Sequence, residues 1–438
     1  MTTRLKELSP AQVAEAARRV RLRCDELALL SSSTNAIERV YLSREHAHAN
    51  RLCAGWMREL GMTTWQDAAG NQIGRLSRPG EAAVFDAPTV LIASHLDTVP
   101  DAGRFDGIVG VLMGLEVVRL LREMDTDGNA SSPLPFAIDV VGYADEEGTR
   151  FGKALLGSSA MAGSWDDAWW ELSDNEGVTL RRAFVEFGLD PDRVREAARK
   201  PEQLVGYLEA HIEQGPELHR TDQPLAVVSS IASARRMQLI VNGEARHAGG
   251  TPYDMRRDAL LGASEIALAV ERICKGEHHI VGTVGQLDTY PGAVNIIPGE
   301  VHLSLDLRGE LDEARDQVWQ SISDAVDEIT ARRALSWSSR EMHNAAAVFC
   351  APGLQDVIAE GISNTLSPDR IRGGAPTLFS PAGHDAMTMA AITDVGMLFL
   401  RNPDGISHHP DEDVAEGDIA VGIRALAEAV LHLAAARG

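Results

Sequence analysis

Val90–Leu115 reads VLIASHLDTVPDAGRFDGIVGVLMGL. Its first four residues, Val90-Leu91-Ile92-Ala93, form a short apolar run that predicts a buried strand. His95 and Asp97 follow where that strand ends. A turn-rich loop then leads to Asp106, and Gly107 opens an apolar segment of helical character. The pattern delivers His95, Asp97 and Asp106 to one place, the carboxyl end of a strand and the start of the next helix. In open α/β sheets that edge is where ligands bind. One imidazole and two carboxylates there suit a divalent ion such as zinc. Taken alone, the same three residues equally describe a capping Asp and a stray histidine on a surface loop.

The length of 438 residues predicts more than one domain. A hydrophobic fraction of 44% is that of a globular chain, and a formal net charge of −23 argues against nucleic acid or an anionic membrane as partner. Cys24, Cys53, Cys274 and Cys350 form no close pair and read as reduced core residues of a cytoplasmic protein. The start, MTTRLKELSP, has no apolar leader, and no apolar run appears long enough to span a membrane.

Outward from the opening stretch, Ser9-Pro10 predicts a capped helix to residue 30, and Ser43 starts a second that ends at Gly61. Residues 63–65 and 71–76 read as paired strands. Residues 135–144, PFAIDVVGYA, form another buried strand that ends in Asp145-Glu146-Glu147-Gly148. A Gly- and Ser-rich connector covers 151–163, and 164–200 is helical in pieces, with Trp165, Trp169 and Trp170 as packing residues. Residues 207–215, YLEAHIEQG, alternate like a strand and put His211 and Glu213 on one side. From about 223 to 341 the pattern is β-rich with two helices, 258–273 and 311–333. A single alternating strand is predicted at 282–288 and another at 301–307. A block of this kind between two α/β segments predicts an inserted α+β domain, with 1–222 and 342–438 as the two parts of the outer domain. In the second part, a strand at 377–380 leads to Pro381-Ala382-Gly383-His384-Asp385, and a long helix closes the chain.

The strand-end groups of the outer domain are His95, Asp106, Glu146, Glu147, His211 and His384. Two metal ions sharing one carboxylate need about five protein ligands, which leaves one group for proton transfer. The neighbours Glu146 and Glu147 point apart on a loop, so one can bind metal while the other faces a water. The bland reading of the same triplet is an exposed acidic loop.

SHLDTVPDAGRFDG, DEEGTRFG, EAHIEQG, RHAGGTPYDMRRDA, PGAVNIIPG, SLDLR, AGHDA and GISHHPDE occur in that order between positions 94 and 412. Together they resemble the M20-type metal-dependent amidohydrolases, in the branch that holds allantoate amidohydrolases, N-carbamoyl-L-amino acid hydrolases and β-ureidopropionases. The resemblance implies an α/β di-metal catalytic domain with an inserted α+β lid that also makes a homodimer. It implies two divalent ions per subunit (zinc, manganese or cobalt), one on His95, Asp106 and His211, the other on Asp106, Glu147 and His384. Asp97 would orient His95, and Glu146 would be the general base. His247 would stabilise the oxyanion from across the dimer. Asn295 and Arg308 would hold the substrate carboxylate, and Gln214 with the backbone at Gly383 would line the ureido pocket. His408 and His409 are given a supporting role and no metal. The implied reaction cleaves a ureido C–N bond of a small acid. The DAGRFDG and GISHHPDE wording points to allantoate, with N-carbamoyl-L-amino acids as the alternative and a peptidase, an aminoacylase or a non-catalytic binding protein more remote. Pro381 and Tyr253 depart from the family pattern, where Gly and Met are usual.

Overall fold

The computed structural model describes residues 9–77, 87–124, 134–367, 369–371 and 374–437. The reading of the first eight residues as free of a leader lies outside them. The chain divides into two compact units. Residues up to Ser229, Cys350–Leu378 and His384 onward make the first; Ser230–Phe349 and Phe379–Gly383 make the second.

In chain order, the first stretch runs α1 (Pro10–Ala28), α2 (Arg44–Glu59), β1 (Thr63–Gln66), β2 (Gln72–Leu76), β3 (Thr89–His95), α3 (Ile108–Met124), β4 (Ala137–Tyr143), α4 (Leu156–Met161), α5 (Leu180–Phe187), β5 (Leu204–Ile212), α6 (Glu217–Arg220) and β6 (Leu225–Ile231). The middle holds β7 (Ser233–Asn242), β8 (Arg246–His247), α7 (Ala259–Lys275), β9 (Ile280–Thr283), β10 (Leu287–Tyr290), β11 (Ile296–Ile297), β12 (Glu300–Gly309), α8 (Asp312–Arg332), β13 (Ser336–Ala345) and β14 (Val348–Phe349). The chain closes with α9 (Pro352–Thr365), β15 (Thr377–Ser380), α10 (Ala386–Met389), β16 (Val395–Leu400) and α11 (Glu416–Arg437).

The sheet of the first unit is ordered β1-β2-β4-β3-β5-β16-β6. Its centre, β4-β3-β5-β16, is parallel, while β1, β2 and β6 join antiparallel. Every residue of β3 and β4 is buried. That is why both read as continuous apolar runs without alternation: parallel strands are covered on both faces. Residues of α1, α3, α9 and α11 share one apolar core with these strands. The fully buried Glu116 of α3 ties α1 in, accepting from Arg19 (2.8 Å) and Arg23 (3.3 Å). The Trp residues of the connecting region are indeed packing: Trp165 and Trp170 meet Phe184 in a separate cluster.

In the second unit the strands run β10-β12-β7-β13, with β9 also on β12. On β12, Val301, Leu303, Leu305 and Leu307 are buried in a core shared with α7 and α8, and His302, Ser304, Asp306 and Arg308 alternate with them. The alternation is that of a sheet with one covered face.

Three sequence expectations change. The single strand at 282–288 is two strands, β9 and β10, which pair with opposite halves of β12, Asp306–Gly309 and Glu300–Leu303. The insertion expected at 223–341 is a unit at 230–349, because β6 pairs with β16 as far as Val228 and β13 pairs with β7 as far as Ala345. Residues 379–383 also join it, through Ala232 N–H donating to the Ser380 carbonyl at 2.8 Å. Finally, α11 is long and apolar enough by length and composition to cross a membrane. It nevertheless packs against α9, α1 and α3, and buries Ile419, Ile423, Leu426 and Val430 in the first core.

Candidate metal centre

His95 closes β3 and is buried. Its Nδ1 donates to the carbonyl of Asp97 at 3.1 Å, and the Asp97 carboxylate lies 3.6 Å from the same nitrogen. The two oxygens of that carboxylate accept the backbone N–H groups of Glu146 (3.0 Å) and Glu147 (3.1 Å). One Asp thus steadies both the first imidazole and the loop of the two glutamates. That loop turns sharply, with Asp145 at φ 62° and Gly148 at φ 66°. A Cβ at Gly148 would lie 2.4 Å from the backbone nitrogen of Ala154, so the turn needs glycine there.

Asp106 is held by its own backbone. Its N–H and that of Phe105 donate to the Glu412 carboxylate at 3.0 and 2.8 Å. Asp106 Oδ1 then faces His211 Nε2 at 3.2 Å and His95 Nε2 at 3.9 Å, and the two nitrogens are 3.4 Å apart. His211 Nδ1, like that of His95, donates to a backbone carbonyl, that of Ile212 at 2.9 Å. Because a carbonyl only accepts, each neutral ring carries its proton on Nδ1 and turns a lone pair on Nε2 toward Asp106. Asp106 Oδ1 is buried and has no hydrogen-bond donor among the described residues. With both rings neutral, three acceptors converge on one point, an arrangement that is repulsive unless a metal cation lies among them or a proton is taken up by His95, whose pKa, against burial, the surrounding carboxylates raise. The donor set, two imidazoles and a carboxylate, is one that divalent transition ions accept, so these residues fit a metal.

The second oxygen of Asp106 is crowded by different partners. Gln214 Nε2 donates to it at 3.0 Å and Ser407 Oγ at 3.1 Å, and His408 Nε2 lies 3.1 Å away. His408 Nε2 is also 3.5 Å from Glu147 Oε1. Asp106, Glu147 and His408 therefore form a second group of close ligand atoms that shares Asp106 with the first. The expected trio of Asp106, Glu147 and His384 is not among the close groups of the described residues. His384 is buried with its ring against His211, at a centroid distance of 4.5 Å, and is grouped with His211 and Glu209. His408, read from the sequence as supporting, stands in this second group: the loop after β16 folds back over Asp106, where Glu412 of the same loop caps the Asp106 backbone. His409 instead lies beside Asp411, 3.6 Å away.

Glu209 is a further residue not singled out from the sequence. It is buried on β5 two positions before His211 and accepts from Ser94 Oγ (3.1 Å) and Tyr207 (2.8 Å). Strand periodicity was the available signal, since alternate residues share a face. Glu213 has another use: its oxygens accept the N–H groups of Glu217 and Leu218 at the start of α6.

The charge balance follows the burial. Burial pushes the Glu146 carboxyl well above the usual carboxylate range, with His95 opposing. Burial and then Asp106 raise Glu147 to about 7. Against burial, His408, His211 and His95 hold Asp106 low. His408 is pushed up to about 9, chiefly by its hydrogen bond to Asp106, and burial takes His211 down to about 4.

His247, Asn295, Arg308 and Gly383 belong to the second unit. His247 pairs with Ile296 across β8 and β11, and Ala248 N–H donates to the Asn295 carbonyl at 2.9 Å. His247 Nδ1 accepts from Gly249 (3.2 Å) and Gly250 (2.9 Å). Its proton is therefore on Nε2, which makes the exposed edge of the ring a hydrogen-bond donor. Arg308 is engaged by Asp306 and by the carbonyl of Pro381. Gly383 ends the 379–383 segment.

Residues 91–432 match the model of Peptidase family M20/M25/M40, and the chain belongs to that family. It is 38% identical over 403 residues to the N-carbamoyl-L-amino acid amidohydrolase of Geobacillus stearothermophilus, covering 92% of this chain and 94% of that one. It is 34% identical over 429 residues to the allantoate deiminase of Arabidopsis thaliana, covering 93% and 80%. A crystal structure of an amidase of the hydantoinase/carbamoylase family from Burkholderia multivorans superposes with a TM-score of 0.82 at 30% identity, covering 95% and 98%. The chain is accordingly an amidohydrolase with the two-domain α/β fold of this branch.

Gly107, at φ 69°, stands against His95: a Cβ there would be 2.2 Å from the His95 Nε2. Gly107→Ala must displace the ring. Elemental analysis of the purified variant is expected to find less bound metal than in wild type, with turnover reduced about 100-fold, the scale of an ångström's misplacement.

Proposed function

We propose that the chain hydrolyses the ureido C–N bond of a small acid, with allantoate as the first candidate. The observation that carries the reading is the pair of ligand groups sharing Asp106, with Glu146 on the loop that bears Glu147. His95, Asp106 and His211 would hold one divalent ion, and Asp106, Glu147 and His408 the other. Support for His408 in place of His384 is its 3.1 Å and 3.5 Å approach to the two carboxylates. Such ions, when bound, polarise a carbonyl and acidify water. Glu146 takes a proton from the attacking water and returns it to the leaving nitrogen, a role that suits a carboxylate raised by burial. His247 Nε2–H donates to the oxygen that gains charge. Arg308 and Asn295 hold the substrate carboxylate, and Gln214 and the Gly383 backbone line the ureido pocket. The carbamic acid released decays to CO2 and ammonia.

The resemblance to the M20 branch implies a homodimer, and we propose that in it His247 serves the neighbouring subunit. Mixing Glu146→Gln chains with His247→Ala chains, each inactive, is expected to restore activity through hybrid sites. Absence of rescue after verified subunit exchange would refute the shared site.

Metal content separates the two histidines. His408→Ala is expected to lose about one ion per chain, and His384→Ala to keep both, by elemental analysis after dialysis. Glu146→Gln is expected to retain the ions while losing about 10²–10⁴-fold in turnover, the usual share of general acid–base catalysis.

The second reading, N-carbamoyl-L-amino acids, is favoured by the 38% relative of that name. Allantoate carries a second ureido group that needs polar partners, and leaving a buried polar group unpaired costs about 1–3 kcal/mol. The pocket should therefore discriminate clearly. Ammonia release from a panel of allantoate, N-carbamoyl-methionine and N-carbamoyl-alanine is expected to give the highest kcat/KM with allantoate. Faster cleavage of either amino-acid derivative would select the second reading, and no release from any of the three would sink the ureido mechanism.

A further inference from the structure

Arg308 of the second unit has five N–H groups, and three are already engaged. Its Nε donates to Asp306 Oδ1 at 3.2 Å, Nη2 donates to Asp306 Oδ2 at 3.0 Å, and Nη1 donates to the Pro381 carbonyl at 2.9 Å. Among the described residues, one N–H remains on each terminal nitrogen. Asp306 is itself held from across the ladder. Its register partner on β7 is Arg236, whose Nε is 3.4 Å from the same Asp306 Oδ2. Asp306 and Arg308 are two apart on β12, on the face opposite the buried Leu305 and Leu307. The Arg308 side chain keeps 31% of its surface exposed, and that of Arg236 55%. Against burial, Arg308 and Arg236 hold the Asp306 carboxyl low, so it is ionised near neutral pH.

An arginine that must bind a carboxylate is expensive to immobilise when its long side chain is free. One already forked onto a carboxylate on its inner edge loses less on binding. A carboxylate beside it would, by itself, cancel the charge it offers. Arg236 removes that objection, because the trio of Arg236, Asp306 and Arg308 carries a net charge of +1.

We propose that Asp306 is a positioning residue for substrate recognition: with the Pro381 carbonyl it fixes Arg308 so that the two remaining N–H groups take the substrate carboxylate, while Arg236 offsets the Asp306 charge. The inference rests on the reading that Arg308 is the carboxylate clamp.

Charge and geometry make opposite predictions here. Asp306→Ala raises the trio to +2. If charge alone mattered, an anionic substrate would bind better; if Asp306 positions Arg308, it binds worse. The test compares the best-cleaved ureido acid with its methyl ester in wild type, Asp306→Ala, Asp306→Asn and Arg236→Gln, following ammonia release. Asp306→Ala is expected to raise KM for the acid at least tenfold with kcat within about threefold, and to lower the acid-to-ester ratio of kcat/KM at least tenfold. Asp306→Asn, which keeps one acceptor, should fall between, and Arg236→Gln should lower the ratio severalfold. If Asp306→Ala does not fold by circular dichroism, the other two variants decide by the same ratio. A lower KM for the acid in Asp306→Ala, or a ratio unchanged in the folded variants, overturns the inference alone. Equal cleavage of acid and ester by wild type overturns the Arg308 assignment with it.

Discussion

Both oxygens of one buried carboxylate, Asp106, organise the first unit's site. Oδ1 meets the lone-pair edges of two imidazoles, and Oδ2 gathers Gln214, Ser407 and His408. A carboxylate at this density of acceptors is costly to bury without positive charge nearby. The surrounding structure is arranged to hold it there. Glu412 caps its backbone, Gly107 leaves room for the His95 ring, and the two imidazoles are fixed in one tautomer by backbone carbonyls. Without those restraints the acceptors would turn apart.

The fold supplies these groups from far-separated segments. His95 ends β3, Glu146 and Glu147 follow β4, and His211 lies on β5; these are neighbouring parallel strands. His384 precedes α10 and His408 follows β16, which pairs with β5. Parallel pairing puts strand ends on one side of the sheet, which is why chemistry collects there. Asp97 then links two of the strand ends through hydrogen bonds, so the geometry of His95 and of the glutamate pair is set together.

The second unit follows a different logic. Its sheet has one apolar face under α7 and α8, and its other face carries polar and charged residues. Cross-strand and alternate-position neighbours there bring Arg236, Asp306 and Arg308 within reach of one another. Such a trio combines a local ion pair with residual positive charge, a combination suited to recognising a small anion.

Much of this was legible in the sequence because the signals are local. Continuous apolar runs at β3 and β4 mark buried parallel strands, alternation at β12 marks a sheet with one covered face, and the ordered motifs identify the family. The groups His95, Asp97, Glu146, Glu147 and His211 stand at strand ends that the apolar pattern locates, and Asp106 stands just before α3. What the sequence could not decide is which of several histidines on later loops reaches Asp106. His384 and His408 both follow strands, and only the path of the loop after β16, closed by Glu412 on the Phe105 and Asp106 amides, brings His408 there. The same holds for the 379–383 segment in the second unit and for the boundary at 230, both set by backbone pairing between distant segments. Local periodicity determined the elements and the candidate ligands; long-range closure, which no spacing rule encodes, decided which of those ligands meet.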